Sequence, residues 1–200
     1  MKRAHGVFIA LLVIALHLIG CSQMPAEADT GWITLFDGTH LDNFDRVGNA
    51  NWSLVDHAVQ ADNTGGGDDS YLITKNTYAD FQIRAEIWVD DQANSGILIR
   101  MSDRKKITPF NSYEVNIFDK RPDPDYGTGA IVNFAKVSPM PKAAGKWNVL
   151  DITAKGSHLI VVLNGIKTAD IHDSTFSSGP FALQYWGGVV KFRNVRVKPL

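Results

Sequence analysis

Phe81-Gln82-Ile83-Arg84-Ala85-Glu86-Ile87-Trp88-Val89 alternates residue by residue. Positions 81, 83, 85, 87 and 89 are apolar, and Gln82, Arg84 and Glu86 stand between them. That period of two belongs to a strand with one buried and one wet face. It returns in Tyr113 to Phe118, where Tyr113, Val115 and Ile117 alternate with Glu114 and Asn116, and in His158 to Leu163. Further strands are expected at 32–36, 52–55, 58–61, 71–74, 97–101, 131–134, 147–153, 166–171, 181–186 and 189–197. No stretch has a helical period.

The turns agree with this reading. Asn164-Gly165 sits between two strand-like runs, the strongest short hairpin signal, because both positions need positive φ. Asp56-His57 is a second tight turn. In the last run Val190 and Phe192 have one parity and Val195 and Val197 the other, so a bulge near Arg193-Asn194 is needed to keep one face inward. Many short strands without helices predict an all-β fold, a two-sheet β-sandwich, as one unit from Gly31 to Leu200.

Before that unit, Lys2 and Arg3 precede ten unbroken apolar residues, Val7 to Leu16. This is a secretory signal, too short to span a bilayer. It ends in Leu18-Ile19-Gly20-Cys21, which resembles a bacterial lipobox, so the expectation is a signal over 1–20, acylation of Cys21 and a tether over 21–30. Two or three acyl chains would hold the protein on a membrane. Ser22, rather than an acidic residue, points to the outer membrane facing the periplasm. The alternative is cleavage near Ala26 or Ala28, with Cys21 discarded.

Composition excludes other classes. The 200 residues carry a net charge of -1. Loss of Lys2 and Arg3 leaves 18 basic against 21 acidic residues, about -3, with no cationic field for nucleic acid. A single cysteine excludes disulfide frameworks and Cys-rich zinc sites. Neither a G-x-S-x-G nor an H-E-x-x-H motif occurs, and Gly65-Gly66-Gly67 lacks the Lys-Ser or Lys-Thr of a phosphate loop. Asp68-Asp69, Asp90-Asp91 and the run Asp119, Asp123, Asp125 offer oxygen ligands for calcium, although Asp is equally a turn residue.

With the runs 81–89, 97–101 and 113–118 taken as neighbours in one sheet, their polar parity gathers Arg84, Glu86, Trp88, Arg100, Glu114 and Asn116, and the later strand adds Gln184 and Trp186. Carboxylates, amides, guanidinium and indole suit a sugar: planar groups bond its hydroxyls, and an indole stacks on its apolar face. The competing reading is a solvated sheet face laced with ion pairs.

Gly31-Trp32-Ile33-Thr34-Leu35-Phe36-Asp37-Gly38, then Leu41-Asp42, resembles the opening of the 3-keto-disaccharide hydrolase domain family. The similarity continues in order through Asp80-Phe81, Asn94-Ser95-Gly96-Ile97, Arg100, Tyr113-Glu114-Val115, Gly129-Ala130-Ile131, Lys146-Trp147-Asn148, Leu163-Asn164-Gly165, Gly179-Pro180, Leu183-Gln184 and Phe192 to Val197. The resemblance implies a concanavalin A-like jelly roll of the lectin/glucanase type. It also implies cleavage of glycosides whose carbon 3 is already a ketone, by elimination across carbons 1 and 2 and then hydration. That chemistry needs a base, a donor to the leaving oxygen and positive charge at the enolate. On the matching positions Glu114 is the candidate base or acid and Arg100 the enolate clamp. Asn94, Glu86, Asn116, Gln184 and Trp186 are candidate sugar contacts, and Asp119 is a second carboxylate or ion ligand.

Two positions depart from the family. Leu-Gln-x-His-Gly becomes Leu183-Gln184-Tyr185-Trp186-Gly187, and Asn116 replaces a Gln. An indole stacks on a sugar but does not shuttle protons. A non-catalytic, lectin-like module is therefore the alternative to an enzyme, followed by a two-carboxylate glycosidase and a purely structural envelope protein.

Overall fold

The computed structural model describes residues 31–62 and 69–200. The expected signal, Cys21, the tether and most of the Gly-rich run lie outside them. Thirteen strands follow: β1 (Ile33–Phe36), β2 (Phe44–Val47), β3 (Asn51–Val55), β4 (Ala58–Asp62), β5 (Ser70–Thr74), β6 (Phe81–Val89), β7 (Asn94–Ile99), β8 (Tyr113–Ile117), β9 (Trp147–Lys155), β10 (His158–Leu163), β11 (Ile166–His172), β12 (Ala182–Gly187) and β13 (Val190–Pro199). A short 3-10 turn, Pro124–Tyr126, is the sole helical element among the described residues.

The strands form two antiparallel sheets. The larger runs β11-β10-β9-β6-β13-β4-β3, with β1 also paired to β13, and the smaller runs β2-β5-β12-β7-β8. Phe81, Ile83, Ala85, Ile87 and Val89 from β6 meet Leu72, Ile97, Val115, Leu183 and Tyr185 from the smaller sheet, forming the core of the expected sandwich. Burial of each such side chain contributes about 1.5–3 kcal/mol.

The turns hold their expected backbone. Asp56 and His57 have φ of 50° and 60°, and Asn164 and Gly165 of 52° and 79°, closing two hairpins. The bulge in β13 lies where the parity break put it: its register with β6 shifts between Arg193 and Arg196, and Asn194 has φ 49°. Asn164 also caps its own hairpin, accepting from Val149 N at 2.9 Å and donating to Asn148 Oδ1 at 2.9 Å.

Three expectations fail for physical reasons. β6 does not neighbour β7, because the chain crosses from the larger to the smaller sheet between them, so their polar faces point away from each other. Residues 131–134 are not a strand: Ile131 N bonds Ala135 O and Ala135 N bonds Ile131 O, a closed turn with Asn133 at φ 67°. β2 was not foreseen, since Phe44 is its one buried residue and Asp45 and Arg46 break the apolar signal.

Candidate functional site

β5, β12, β7 and β8 lie side by side, and their outer face is the floor of the site. In β5 and β8 every residue is buried, because the outward side chains are covered as well. Part of the cover is the loop 102–112. Its Ile107 packs on a second apolar cluster of Tyr71, Ile73, Leu98, Met101 and Ala182, on the face opposite the main core.

Beside this cluster opens a cleft of about 430 Å³, lined by Tyr71 and Asp69 of the β5 side, Asn94 of β7, Glu114 of β8, Gln184 and Trp186 of β12, Thr108 to Phe110 of the loop, and Arg121, Val132 and Asn133. Its volume falls in the range of small-ligand sites. Glu114 lies at its base with 6% of its surface exposed. Burial pushes the Glu114 carboxyl up to about 7; the Arg121 charge and the Gln184 amide pull it back, and Asp69 adds to the rise. Burial also pushes the Tyr71 phenol up.

Gln184 is 2% exposed, and its Oε1 has no hydrogen-bond partner among the described residues. An unmet buried acceptor disfavours the folded chain by about 1–3 kcal/mol. Gln184 is also one of the residues that line the cleft. Trp186 and Phe110 also line the cleft, with 54% and 81% of their surfaces exposed.

Glu114, Asn94, Gln184 and Trp186, four of the side chains proposed from sequence, therefore converge on one cleft. The others stand elsewhere. Glu86 lies on the outer face of the larger sheet, held by Arg193 Nε at 2.7 Å and Asn194 Nδ2 at 2.6 Å. Burial works against its charge, but those two partners hold its carboxyl below the usual range. Arg100 follows β7 with φ 52°, which turns its side chain out of the strand's outward row. Its guanidinium donates to Ala79 O, Gly156 O and Phe176 O and to Asp80 Oδ1 at 3.2 Å. Asn116 donates to Tyr126 O at 2.6 Å. Asp119 accepts from Thr128 Oγ1 and from the backbone N–H of Ala143 and Ala144, fastening that loop.

Arg121 was missed because it lies in a Pro- and Asp-rich loop without periodicity. It brings positive charge to the cleft where Arg100 was expected. Asp69 was read only as a possible calcium ligand, and Tyr71 and Asn133 lay in runs expected to be strands, whose outward residues were not assigned to the site.

Asp68 lies outside the described residues, and the candidate carboxylates within them do not gather into a calcium site. Among the described residues no three His, Cys, Asp or Glu side chains converge to hold a metal ion. Asp123 caps the 3-10 turn, Asp125 pairs with Lys136, Asp91 pairs with Lys120 and Asp90 accepts from Gln92 N and Val189 N.

A depression of about 510 Å³ on the outer face of the larger sheet is bigger, lined by Thr34, Asp37, Arg84, Glu86, Val149, Asn194 and Arg196. Its charges are satisfied within the protein, Arg84 by Asp151 and Glu86 by Arg193 and Asn194. The smaller cleft combines an unmet acceptor, a raised carboxyl and exposed aromatics, and so is the better candidate for a ligand site.

A concanavalin-like sandwich with amides, a buried carboxyl and an indole in one outward cleft defines a carbohydrate-active β-sandwich. Residues 31–198 match the 3-keto-alpha-glucoside-1,2-lyase-like domain, and the chain belongs to that family. It is 26% identical over 173 residues to a levanase of Bacillus subtilis (strain 168), a match covering 83% of this chain and 22% of the levanase. The chain thus spans about a fifth of that curated relative. A putative glycosyl hydrolase from Parabacteroides distasonis ATCC 8503 shares the fold with TM-score 0.74 at 19% identity, over 85% of this chain and 94% of that one. The carbohydrate binding module CBM66 from Bacillus subtilis does so with TM-score 0.57 at 23% identity, over 84% and 96%.

Proposed function

We propose that the Glu114 cleft binds a glycoside and, when carbon 3 of the sugar is a ketone, cleaves it by elimination across carbons 1 and 2, followed by hydration. The observation that carries this reading is the buried Glu114 carboxyl, pushed up to about 7 beside the Arg121 charge. A base with that affinity for protons is half ionised near neutral pH and strong enough to take an acidified C–H proton. The ketone acidifies the hydrogen on carbon 2. Glu114 takes that proton, the electron pair forms the enolate, and the enolate expels the oxygen on carbon 1, which leaves with a proton. Water then adds across the double bond, its hydroxyl to carbon 1 and its proton to carbon 2. Arg121 supplies positive charge for the enolate, and Gln184 Oε1 accepts from a ring hydroxyl.

Incubation with 3-keto-trehalose or a 3-keto-glucoside should release free sugar, and Glu114→Gln should lower the rate by about 100-fold or more, the scale of a lost general base. Equal release by the variant would overturn the assignment.

Trp186 favours a second reading, a binding module without turnover, because an exposed indole stands where the family resemblance leads one to expect an imidazole. It predicts saturable binding to unoxidised glycans, lost in Trp186→Ala, with no release from the 3-keto substrates.

For residues 1–30 the proposal is a bacterial envelope lipoprotein anchored through Cys21 and held at the outer membrane facing the periplasm. The support is the apolar run ending in Leu18-Ile19-Gly20-Cys21. Metabolic labelling with palmitate should mark the chain and not its Cys21→Ser variant, and membrane fractionation should follow the label.

A further inference from the structure

We propose that Tyr71 is the proton donor of the cleft: its phenol protonates the oxygen that leaves carbon 1 and then, as phenolate, takes a proton from the water that adds there; this rests on the elimination reading of the Glu114 cleft. Expulsion of a sugar alkoxide needs such a donor, and neither Glu114, which takes the carbon 2 proton, nor Arg121, which supplies charge, provides it. Of the other side chains lining the cleft, Asn94, Asn133 and Gln184 carry amides and Trp186 an indole, groups that donate hydrogen bonds without releasing the proton. Thr108 Oγ1 is committed to Asn111 Oδ1 at 3.2 Å. Asp69 accepts rather than donates: the Tyr71 hydroxyl reaches its Oδ2 at 3.4 Å, a long bond that holds the phenol proton loosely.

The fold fixes that phenol. Tyr71 is 4% exposed, and its ring belongs to the apolar cluster of Ile73, Leu98, Met101 and Ala182 on which Ile107 packs. On the floor of the site Tyr71 pairs directly with Gln184, whose other partner, Gly96, lies beside Glu114, so phenol, amide and carboxyl follow one another across the sheet. Burial, with the charges of Asp69 and Glu114, keeps the proton on the phenol in the resting cleft. Once Glu114 has taken the carbon 2 proton its charge is gone, and the phenol becomes a stronger acid at the step that needs one. The proton count closes. Tyr71 gives its proton to the leaving oxygen as the bond to carbon 1 breaks, the phenolate takes one from water as the water oxygen bonds to carbon 1, and Glu114 returns its proton to carbon 2.

The test compares two leaving groups in the full chain and in Tyr71→Phe, which keeps the packed ring. Methyl 3-keto-glucoside expels an alkoxide that needs a proton, whereas 4-nitrophenyl 3-keto-glucoside expels a stabilised phenolate that does not. Tyr71→Phe should lower kcat for the methyl substrate by about 100-fold or more, and release of nitrophenolate by less than about tenfold. With the nitrophenyl substrate the enone left by elimination should accumulate in the variant, read by mass spectrometry as the dehydrated sugar, because its hydration has lost a base. Equal loss for both substrates, or no loss for the methyl one, overturns Tyr71 as the donor while the elimination reading stands, and absence of the enone overturns its part in hydration. No release from either substrate by the unaltered chain overturns the elimination reading itself, and this step with it.

Discussion

Gln184 and Glu114 face one another diagonally across Gly96, the residue of β7 that pairs with Gln184 on one side while its neighbour but one, Leu98, pairs with Glu114 on the other. A Cβ at Gly96 would lie 3.1 Å from Gln184 Oε1, 3.4 Å from Glu114 Cγ and 3.0 Å from Val115 O. The empty space over Gly96 is what lets an amide and a carboxyl from strands not bonded to each other share one buried floor.

Gly96→Ala should therefore damage the site more than the fold. The backbone carbonyl of Val115 cannot give way, so the added methyl displaces Gln184 and Glu114, with strain of about 1–3 kcal/mol. Thermal unfolding should show a modest fall in midpoint. Sugar binding by calorimetry should fall by at least tenfold, and unchanged affinity would contradict this role of the glycine.

The Glu114 carboxyl also makes stability depend on pH in a stated direction. Its folded pKa, about 7, lies above the ordinary value of 4.5, so the folded chain holds a proton that the unfolded chain has released. Stability from this group is complete below about pH 4.5 and declines as pH rises through 7. The shift corresponds to about 3 kcal/mol by the usual conversion. Chemical denaturation at pH 5 and pH 8 should show Glu114→Gln gaining on the unaltered chain at pH 8 by an amount of that order. Parallel pH profiles for the two proteins would contradict the raised value.

Arg121 lowers the Glu114 pKa by its charge. Arg121→Gln should move the acidic limb of the pH–rate profile, or the Glu114 titration seen by NMR, to higher pH. Arg121→Lys should restore much of the position of that limb, since charge at this distance is what acts. An unmoved limb in Arg121→Gln would separate the two groups electrically.

Strands of the larger sheet were legible because a period of two survives there: the alternation from Phe81 to Val89 is also the observed burial pattern of β6, whereas β5 and β8 of the smaller sheet are buried at every residue. The face that carries the site was half legible. Glu114, Gln184, Asn94 and Trp186 follow strand parity on the smaller sheet, but the same parity applied to Glu86 assumed a neighbour that β6 lacks. Sequential strands pair only about two-thirds of the time, and in this sandwich the crossover lies between β6 and β7. Arg100 broke parity through its φ of 52°, a backbone state that no periodicity encodes. Several residues in family-like blocks serve the fold instead. Asn148 donates to Ala143 O and Lys146 O at 2.8 Å each, closing a loop, and is not among the residues that line the cleft.

Arg100 supplies the sharpest contrast between fold and function. Its side chain is 1% exposed and links Ala79 O and Asp80 at the start of β6 to Gly156 O between β9 and β10 and to Phe176 O after β11. Asp80 Oδ1 in turn accepts from Gly156 N at 2.8 Å. Arg100→Met removes the charge but keeps the stem, leaving three carbonyls short of donors and Asp80 unpaired by the guanidinium. Hydrogen bonds to a charged group are each worth about 1.5–3 kcal/mol, and Asp80, 41% exposed, keeps part of its hydration when the guanidinium is gone. The midpoint of thermal unfolding should fall by many degrees, and by more than in any single variant of the cleft. Well below that midpoint, sugar affinity and any Glu114-dependent turnover per folded molecule should match the unaltered chain. A folded Arg100→Met protein with normal stability and lost turnover would return this guanidinium to the chemistry.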